Sequence, residues 1–207
     1  MTEKLKYAII GAGCMGQEHI LNIDIIDDAE VVALCDTSEK SIKESLDLLN
    51  NDVAIFDNYI DLVEANIADA FIIATPNFTH IEVLKEVMKS EAHLLIEKPI
   101  CTTVKDCQEF EKLAVDYPGV IWTAMEYRYM PPVQRMIKEI HNKTIGDLKM
   151  LSIREHRFPF LHKVDDWNRF AIKTGGTLVE KCCHFFDLMR LIAQSEPTKV
   201  YASGNQD

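Results

Sequence analysis

The sequence predicts an α/β protein whose first part is a doubly wound parallel sheet, and three observations predict it. Short apolar runs alternate with helical patterns through the first half, the alternation that βαβ crossovers impose. The runs are nearly continuous in apolar residues, as expected for parallel strands covered on both faces. A glycine-rich turn also stands between the first strand and the first helix.

In chain order, the expected strands are 7–10, 31–35, 53–56, 70–74 and 93–96, with helices at 15–25, 38–49, 59–65 and 80–89 between them. A further helix, 104–116, leads through Tyr117-Pro118-Gly119 to a last short strand at 120–123. Pro118 and Gly119 punctuate that turn. The first domain is therefore read as 1–122 and the second as 123–207.

Beyond the boundary, Pro131-Pro132 opens a helix running to about 142, proline being well suited to the first helical turn. Gly146-Asp147 turns the chain into an expected strand at 148–157, where Leu151, Ile153 and Glu155 alternate with Ser152, Arg154 and His156. Gly175-Gly176 precedes a helix at 178–193, and a last strand is expected at 199–202. One long strand and one starting strand make a thin domain, since a two-stranded ribbon is marginal in water. Either the polypeptide is a fragment or another subunit completes it.

Composition narrows the function. Of the 207 residues, 47% are hydrophobic and 27% charged, as in a soluble globular protein, and the net charge is -11 with the acids scattered. That balance argues against nucleic acid, whose binding relies on basic surface, and gives no polybasic membrane patch. No apolar run approaches the roughly 20 residues that span a bilayer, and no signal-peptide core follows Met1. Six dispersed cysteines without C-x-x-C spacing read as reduced thiols of a cytoplasmic protein. His156, His162 and Asp165-Asp166 lack a third well-spaced ligand, so no metal is expected.

Gly11-Ala12-Gly13-Cys14-Met15-Gly16 fits G-x-G-x-x-G directly after a strand and before a helix. The first glycine permits the tight turn, the second lets backbone approach a pyrophosphate, and the third lets helix and strand pack closely. The phosphates then meet the helix N-terminus, where free N–H groups favour an anion. Asp36 closes the second strand twenty residues beyond Gly16, where a carboxylate accepts from ribose hydroxyls and repels a 2′-phosphate. NAD is thus favoured over NADP, with Lys40 and Lys43 arguing the other way. A solvated helix N-cap is the alternative for Asp36.

Further signatures follow: Ala74-Thr75-Pro76-Asn77-Phe78-Thr79-His80, Glu97-Lys98-Pro99, Arg128-Tyr129-Met130-Pro131, and the run from Gly175-Gly176 to Cys182-Cys183-His184. In this order they resemble the Gfo/Idh/MocA family, the glucose-fructose oxidoreductase and inositol dehydrogenase group. The resemblance implies an N-terminal Rossmann domain and a C-terminal α/β domain with a mostly antiparallel sheet that mediates homo-oligomerisation. Family members are longer, which implies that the second domain is truncated here.

The resemblance also implies roles. The turn residues Gly11, Gly13, Cys14, Met15 and Gly16, with Asp36, Thr75, Asn77, His80, Glu97 and Lys98, would bind the cofactor. Lys98 would exchange a proton with a substrate hydroxyl, as a partly desolvated lysine beside a cationic ring can; the alternative is a solvated lysine paired with Glu97. Glu180 and His184 are four apart and would share one helix face, His184 acting as acid/base and Glu180 orienting it or binding a neighbouring hydroxyl. The family has Asp in place of Glu180 and commonly glycine in place of Cys182. Arg128, Tyr129, Trp167 and Arg169 match pocket or rim positions suited to a polyol or sugar. The expected activity is hydride transfer between NAD and a secondary alcohol or ketone. An NAD-dependent glycoside hydrolase and a non-catalytic NAD-binding regulator are the other readings.

Overall fold

The computed structural model describes residues 3–156 and 161–203. They group into two units: 3–124 with 161–180, and 125–156 with 181–203.

The first unit opens with β1 (Leu5–Ile10), α1 (Cys14–Asp24), β2 (Ala29–Cys35), α2 (Glu39–Leu46) and β3 (Ala54–Phe56). It continues with α3 (Tyr59–Glu64), β4 (Ala70–Ile73), α4 (His80–Val87), β5 (His93–Ile96), α5 (Val104–Ala114) and β6 (Ile121–Thr123). All six strands pair in parallel in the order β3-β2-β1-β4-β5-β6. Strand residues alternate between faces, so Ala8, Ile10, Phe71 and Ile73 pack into one buried cluster while Ile9, Leu34 and Ile72 pack into the other. With helices on both sides, β4 is buried at every position, which is why its run Ala-Phe-Ile-Ile carries no polar residue.

Polar side chains define where the helices begin. Ser38 accepts from the Ser41 N–H to cap α2, Asn58 accepts from Ile60 to cap α3, and Thr103 accepts from Asp106 to cap α5. Each satisfies a donor that the first helical turn leaves without an intrahelical partner.

The sheet divides at the end of β1. The Ile10 carbonyl accepts from Ala74 beyond β4 at 2.8 Å, whereas the next N–H, of Gly11, donates to Cys35 of β2 at 2.8 Å. Connections run outward in opposite directions from this point, opening a crevice at the carboxyl ends of β1 and β4.

In the second unit, α6 (Pro131–His141) starts at the expected proline pair. Next along the chain, α7 (Ala171–Thr174) and α8 (Thr177–Glu180) belong to the first unit, and α9 (Cys183–Ala193) to the second. His141 Nε2 lies 3.2 Å from the Leu191 carbonyl, joining α6 to α9.

Two expectations are corrected. Among the described residues the second unit contains no strand: neither 148–156 nor 199–202 forms a ladder, and position 157 lies outside the described residues. The alternation at 151–156 is real, but a strand exists only with a neighbour to bond. The mostly antiparallel sheet is therefore not found among the described residues. The helix expected at 178–193 is also broken, into α8 and α9. No helix among the described residues is long and apolar enough to cross a membrane.

The third glycine has no room for a side chain. A Cβ on Gly16 would overlap the Gly11 carbonyl oxygen and stand 3.3 Å from Ile9 Cγ2. Gly16→Ala is expected to cost about 3 kcal/mol through this backbone collision, read as a lower urea midpoint at unchanged m-value.

Candidate functional site

Crevice residues of the first unit come from three strand ends. Gly11, after β1, has φ +99°, and a Cβ there would lie 2.5 Å from the Ala74 carbonyl carbon and 2.7 Å from the Thr75 nitrogen. Only glycine therefore lets the loop after β1 pass so close to the loop after β4. Gly13 differs: its φ of -77° suits any residue, and a Cβ would meet nothing within 4 Å. Its value lies in leaving space beside the backbone. Gly13 is also the N-cap of α1 and no side chain caps that helix, so the N–H groups of Cys14, Met15 and Gly16 open its first turn toward an anion.

The peptide of Ala12 is held from two sides. Its N–H donates to Asp36 Oδ2 at 2.7 Å, and its carbonyl accepts from the buried Ser45 hydroxyl at 2.9 Å. Asp36 Oδ1 accepts from Ser38 N–H at 2.8 Å. Ser38, not Asp36, caps α2, so Asp36 is a strand-end carboxylate that shapes the glycine turn. Each of its oxygens keeps a further lone pair for ribose hydroxyls. Burial, followed by the Asp36 charge, pushes the neighbouring Cys35 thiol up to about 12, so that group stays neutral beside the carboxylate. Lys40 pairs with Glu44 at 3.7 Å on the exposed face of α2.

Past β4, the Thr79 hydroxyl donates to the Pro76 carbonyl at 2.7 Å and lies 2.9 Å from the Thr75 hydroxyl. Asn77 is 7% exposed, and its amide nitrogen has no hydrogen-bond partner. A buried amide with a vacant donor suits a polar ligand. His80 has a different place from the one expected. It is fully buried, with Nε2 2.9 Å from the Thr75 carbonyl and Nδ1 3.0 and 3.2 Å from those of Pro99 and Ile100. Both ring nitrogens thus face main chain and none is left for a cofactor. His80 staples the loop after β4 to the loop after β5.

Glu97 is likewise turned inward. It is buried, with Oε1 2.9 Å from His19 Nε2 and Oε2 accepting from the Lys98 N–H at 3.2 Å. Its carboxylate ties α1 to the start of the loop. Lys98 precedes a cis proline and is half-buried. Among the described residues no carboxylate pairs with its ammonium; Nζ donates instead to the Glu180 main-chain carbonyl at 3.2 Å.

The helix is interrupted at that carbonyl. In a continuous helix the Glu180 carbonyl would accept from the His184 N–H. Here it accepts from Lys98 Nζ, and the His184 N–H donates to Lys181 O at 3.4 Å. Glu180 closes α8 and His184 lies in α9, so no single helix presents both.

In the second unit, His184 is 1% exposed in the first turn of α9. Its Nε2 stands 3.4 Å from Glu126 Oε1, and its ring stacks on Tyr127 with centroids 4.2 Å apart. Arg128 forms a two-point pair with Asp187, its Nε donating at 2.6 Å, and that pairing raises the guanidinium pKa. Arg128 and Tyr129 line a cavity of about 390 Å³ with Gln134, Lys138 and Leu191. Trp167 and Arg169 belong to the first unit, on the 3₁₀ segment Val164–Arg169, half-buried and exposed respectively. Among the described residues no three His, Cys, Asp or Glu side chains gather as for a metal ion; His162 pairs with Asp166 at 2.7 Å.

Comparison with known proteins adds independent findings. Residues 5–125 match the model of an oxidoreductase family with an NAD-binding Rossmann fold, and residues 137–207 match that family's C-terminal alpha/beta domain. The chain is 28% identical to the uncharacterized oxidoreductase YrbE of Bacillus subtilis (strain 168), over 99% of this chain and 58% of that protein. It is 26% identical to the myo-inositol 2-dehydrogenase of Thermotoga maritima, over 97% of this chain and 58% of that protein. The chain thus spans a little over half the length of these relatives. The scyllo-inositol dehydrogenase of Lactobacillus casei, solved with NAD(H) and scyllo-inositol, shares the fold at a TM-score of 0.75 and 17% identity, covering 93% of this chain and 57% of that one.

The first unit is a Rossmann domain for NAD, and its residues fit that group: an open face at Gly13, an uncapped α1 N-terminus and the vacant Asn77 amide. Gly13→Ala fills the open face without strain, so NAD affinity measured by calorimetry should fall about tenfold or more while Tm stays level, about 1.4 kcal/mol of binding lost. His80 generates a second expectation. Burial pushes it below its ordinary 6.5, against the Thr75, Pro99 and Ile100 carbonyls and the Glu97 charge, which favour the charged form. The unfolded chain then binds a proton that the folded chain refuses, so stability is full above pH 6.5 and falls as pH drops below it. Urea titrations between pH 5 and 8 should show this slope, at most about 1.4 kcal/mol per pH unit for one group, and His80→Gln should flatten it.

Proposed function

The chain belongs to the Gfo/Idh/MocA oxidoreductase family, and we propose that it interconverts a secondary alcohol and its ketone on a sugar or cyclitol, using NAD. The observation that carries this reading is the setting of Lys98. Its ammonium is half-buried at the carboxyl end of β5, in the unit that holds the glycine turn, and a main-chain carbonyl orients it. A carbonyl directs one N–H without neutralising the charge, and two donors remain for a substrate hydroxyl.

When bound, NAD supplies the acceptor or donor of the hydride. Lys98 as the neutral amine takes the proton of the substrate hydroxyl on oxidation, and as the ammonium returns it on reduction. His184 is the second acid–base group, with Glu126 Oε1 3.4 Å from its Nε2. The Glu180 carboxylate, on a residue whose main chain already holds Lys98, binds a neighbouring hydroxyl. Gly11, Gly13, Cys14, Met15 and Gly16 receive the pyrophosphate, Asp36 the adenosine ribose, and Thr75 with Asn77 the nicotinamide half. Asp36 disfavours a 2′-phosphate, so NADP is the poorer substrate. Tyr129, with Arg128 fixed by Asp187, and Trp167 with Arg169 supply polar and aromatic contacts for a polyol. The likeness to a myo-inositol 2-dehydrogenase supports the cyclitol class, and six free cysteines fit a reducing, cytoplasmic setting. No observation favours glycoside hydrolysis or non-catalytic regulation over this reading.

Lys98→Ala tests it. Turnover on a responsive sugar or inositol should fall by about 10² to 10⁴, with Kd for NAD kept within a few-fold. Undiminished turnover in that variant removes the assignment.

A further inference from the structure

The second unit holds a polar cluster around a buried lysine that the proposed reaction does not use. Lys181, in the bend before α9, has a side chain only 9% exposed and pairs with Glu155 Oε1 at 3.2 Å. Its ammonium also donates to the Tyr127 hydroxyl, which in turn donates to the same Glu155 oxygen at 2.9 Å. The three groups close a triangle. The ammonium stands 4.5 Å from the Tyr127 ring centroid and 5.8 Å from that of Phe185.

A lysine so far from water is retained only when its charge is paired and its protons are used. Here Glu155 and the phenol oxygen accept two of them, and aromatic faces flank the ammonium. The result is a tyrosine whose oxygen is held by two charged side chains, so its ring cannot swing away about Cα–Cβ. Lying on that ring is the imidazole of His184, nearly parallel at 9° with centroids 4.2 Å apart. His184 lies three residues beyond Lys181, so the anchor and the histidine are carried by the same tight bend.

We propose that Lys181, Tyr127 and Glu155 form a clamp that sets the plane of the His184 imidazole, which makes Tyr127 and Lys181 positioning residues for the acid–base step. This rests on the role given to His184 above. A group transferring a proton must be held within narrow angular limits. His184 Nε2 meets Glu126, a contact that fixes one atom and does not by itself set the plane of the ring. The stacked, anchored tyrosine removes that freedom.

The test observes the ring directly. In the full chain with ¹³C-labelled histidine, the His184 Hε1 resonance is assigned through His184→Gln. Stacking shields it, so Tyr127→Leu moves it downfield and gives the unstacked reference. Lys181→Met and Tyr127→Phe leave an aromatic ring in place and remove only the anchor; both should shift the resonance toward that reference. If both leave it at the wild-type position, the clamp is overturned. Should Lys181→Met fail to fold, Tyr127→Phe, which deletes a single oxygen, decides alone. In turnover assays the anchor variants should lose about tenfold in kcat with KM for NAD unchanged. A rise in KM for NAD at constant kcat would instead overturn the positioning role. Full turnover in His184→Ala would remove the acid–base reading of His184, while the resonance shift still decides whether the clamp exists.

Discussion

Two hydrogen bonds at the end of β1 set the plan of the first unit. The carbonyl of the Ile10–Gly11 peptide bonds toward β4, and its N–H bonds toward β2. That divergence separates the strands that lead left from those that lead right. It also brings two loops so close that no side chain fits at Gly11. The position of the crevice, the entry of α1 and the proximity of Thr75 to the glycine turn all follow from it. The loop bearing Lys98 joins the same crevice because β5 lies next to β4.

Around this point the chain uses ionisable and polar groups chiefly to hold main chain. Asp36 and Ser45 grip the Ala12 peptide, Glu97 bridges His19 to Lys98, and His80 faces three carbonyls. Polar residues at the carboxyl ends of strands invite a reading as ligand contacts, yet several are bound by the loops themselves. What remains open to a ligand is largely backbone and empty space: Gly13, the first turn of α1 and one amide of Asn77.

Legibility in the sequence followed the range of the interaction involved. Parallel strands and their helices were readable because burial on both faces leaves a local signature, the unbroken apolar run. The three glycines were readable because their spacing, directly after a strand and before a helix, is a local pattern. The parts of His80 and Glu97 were not, since Pro99, Ile100 and His19, which they hold, lie 19 to 78 residues away along the chain. The break between α8 and α9 was hidden for the same reason. Periodicity from 177 to 193 is continuous, and the carbonyl at the interruption accepts from Lys98, 82 residues away. Ser45 left one signal, a hydroxyl on the apolar side of an amphipathic helix. Lys181 left another, a cation in the middle of an apolar turn. The strands expected at 148–157 and 199–202 failed because alternation specifies which way side chains point, while a ladder needs a neighbour.

The staple formed by His80 carries a thermodynamic consequence. Since one imidazole joins the carbonyl of Thr75 to those of Pro99 and Ile100, the two loops cannot be displaced independently without breaking a fully buried contact. Any ligand that prefers one arrangement of the Thr75 loop therefore also biases the Lys98 loop, and by reciprocity whatever engages Lys98 feeds back on affinity at Thr75. Cofactor and substrate would then bind with a shared coupling free energy, carried by a residue that touches neither.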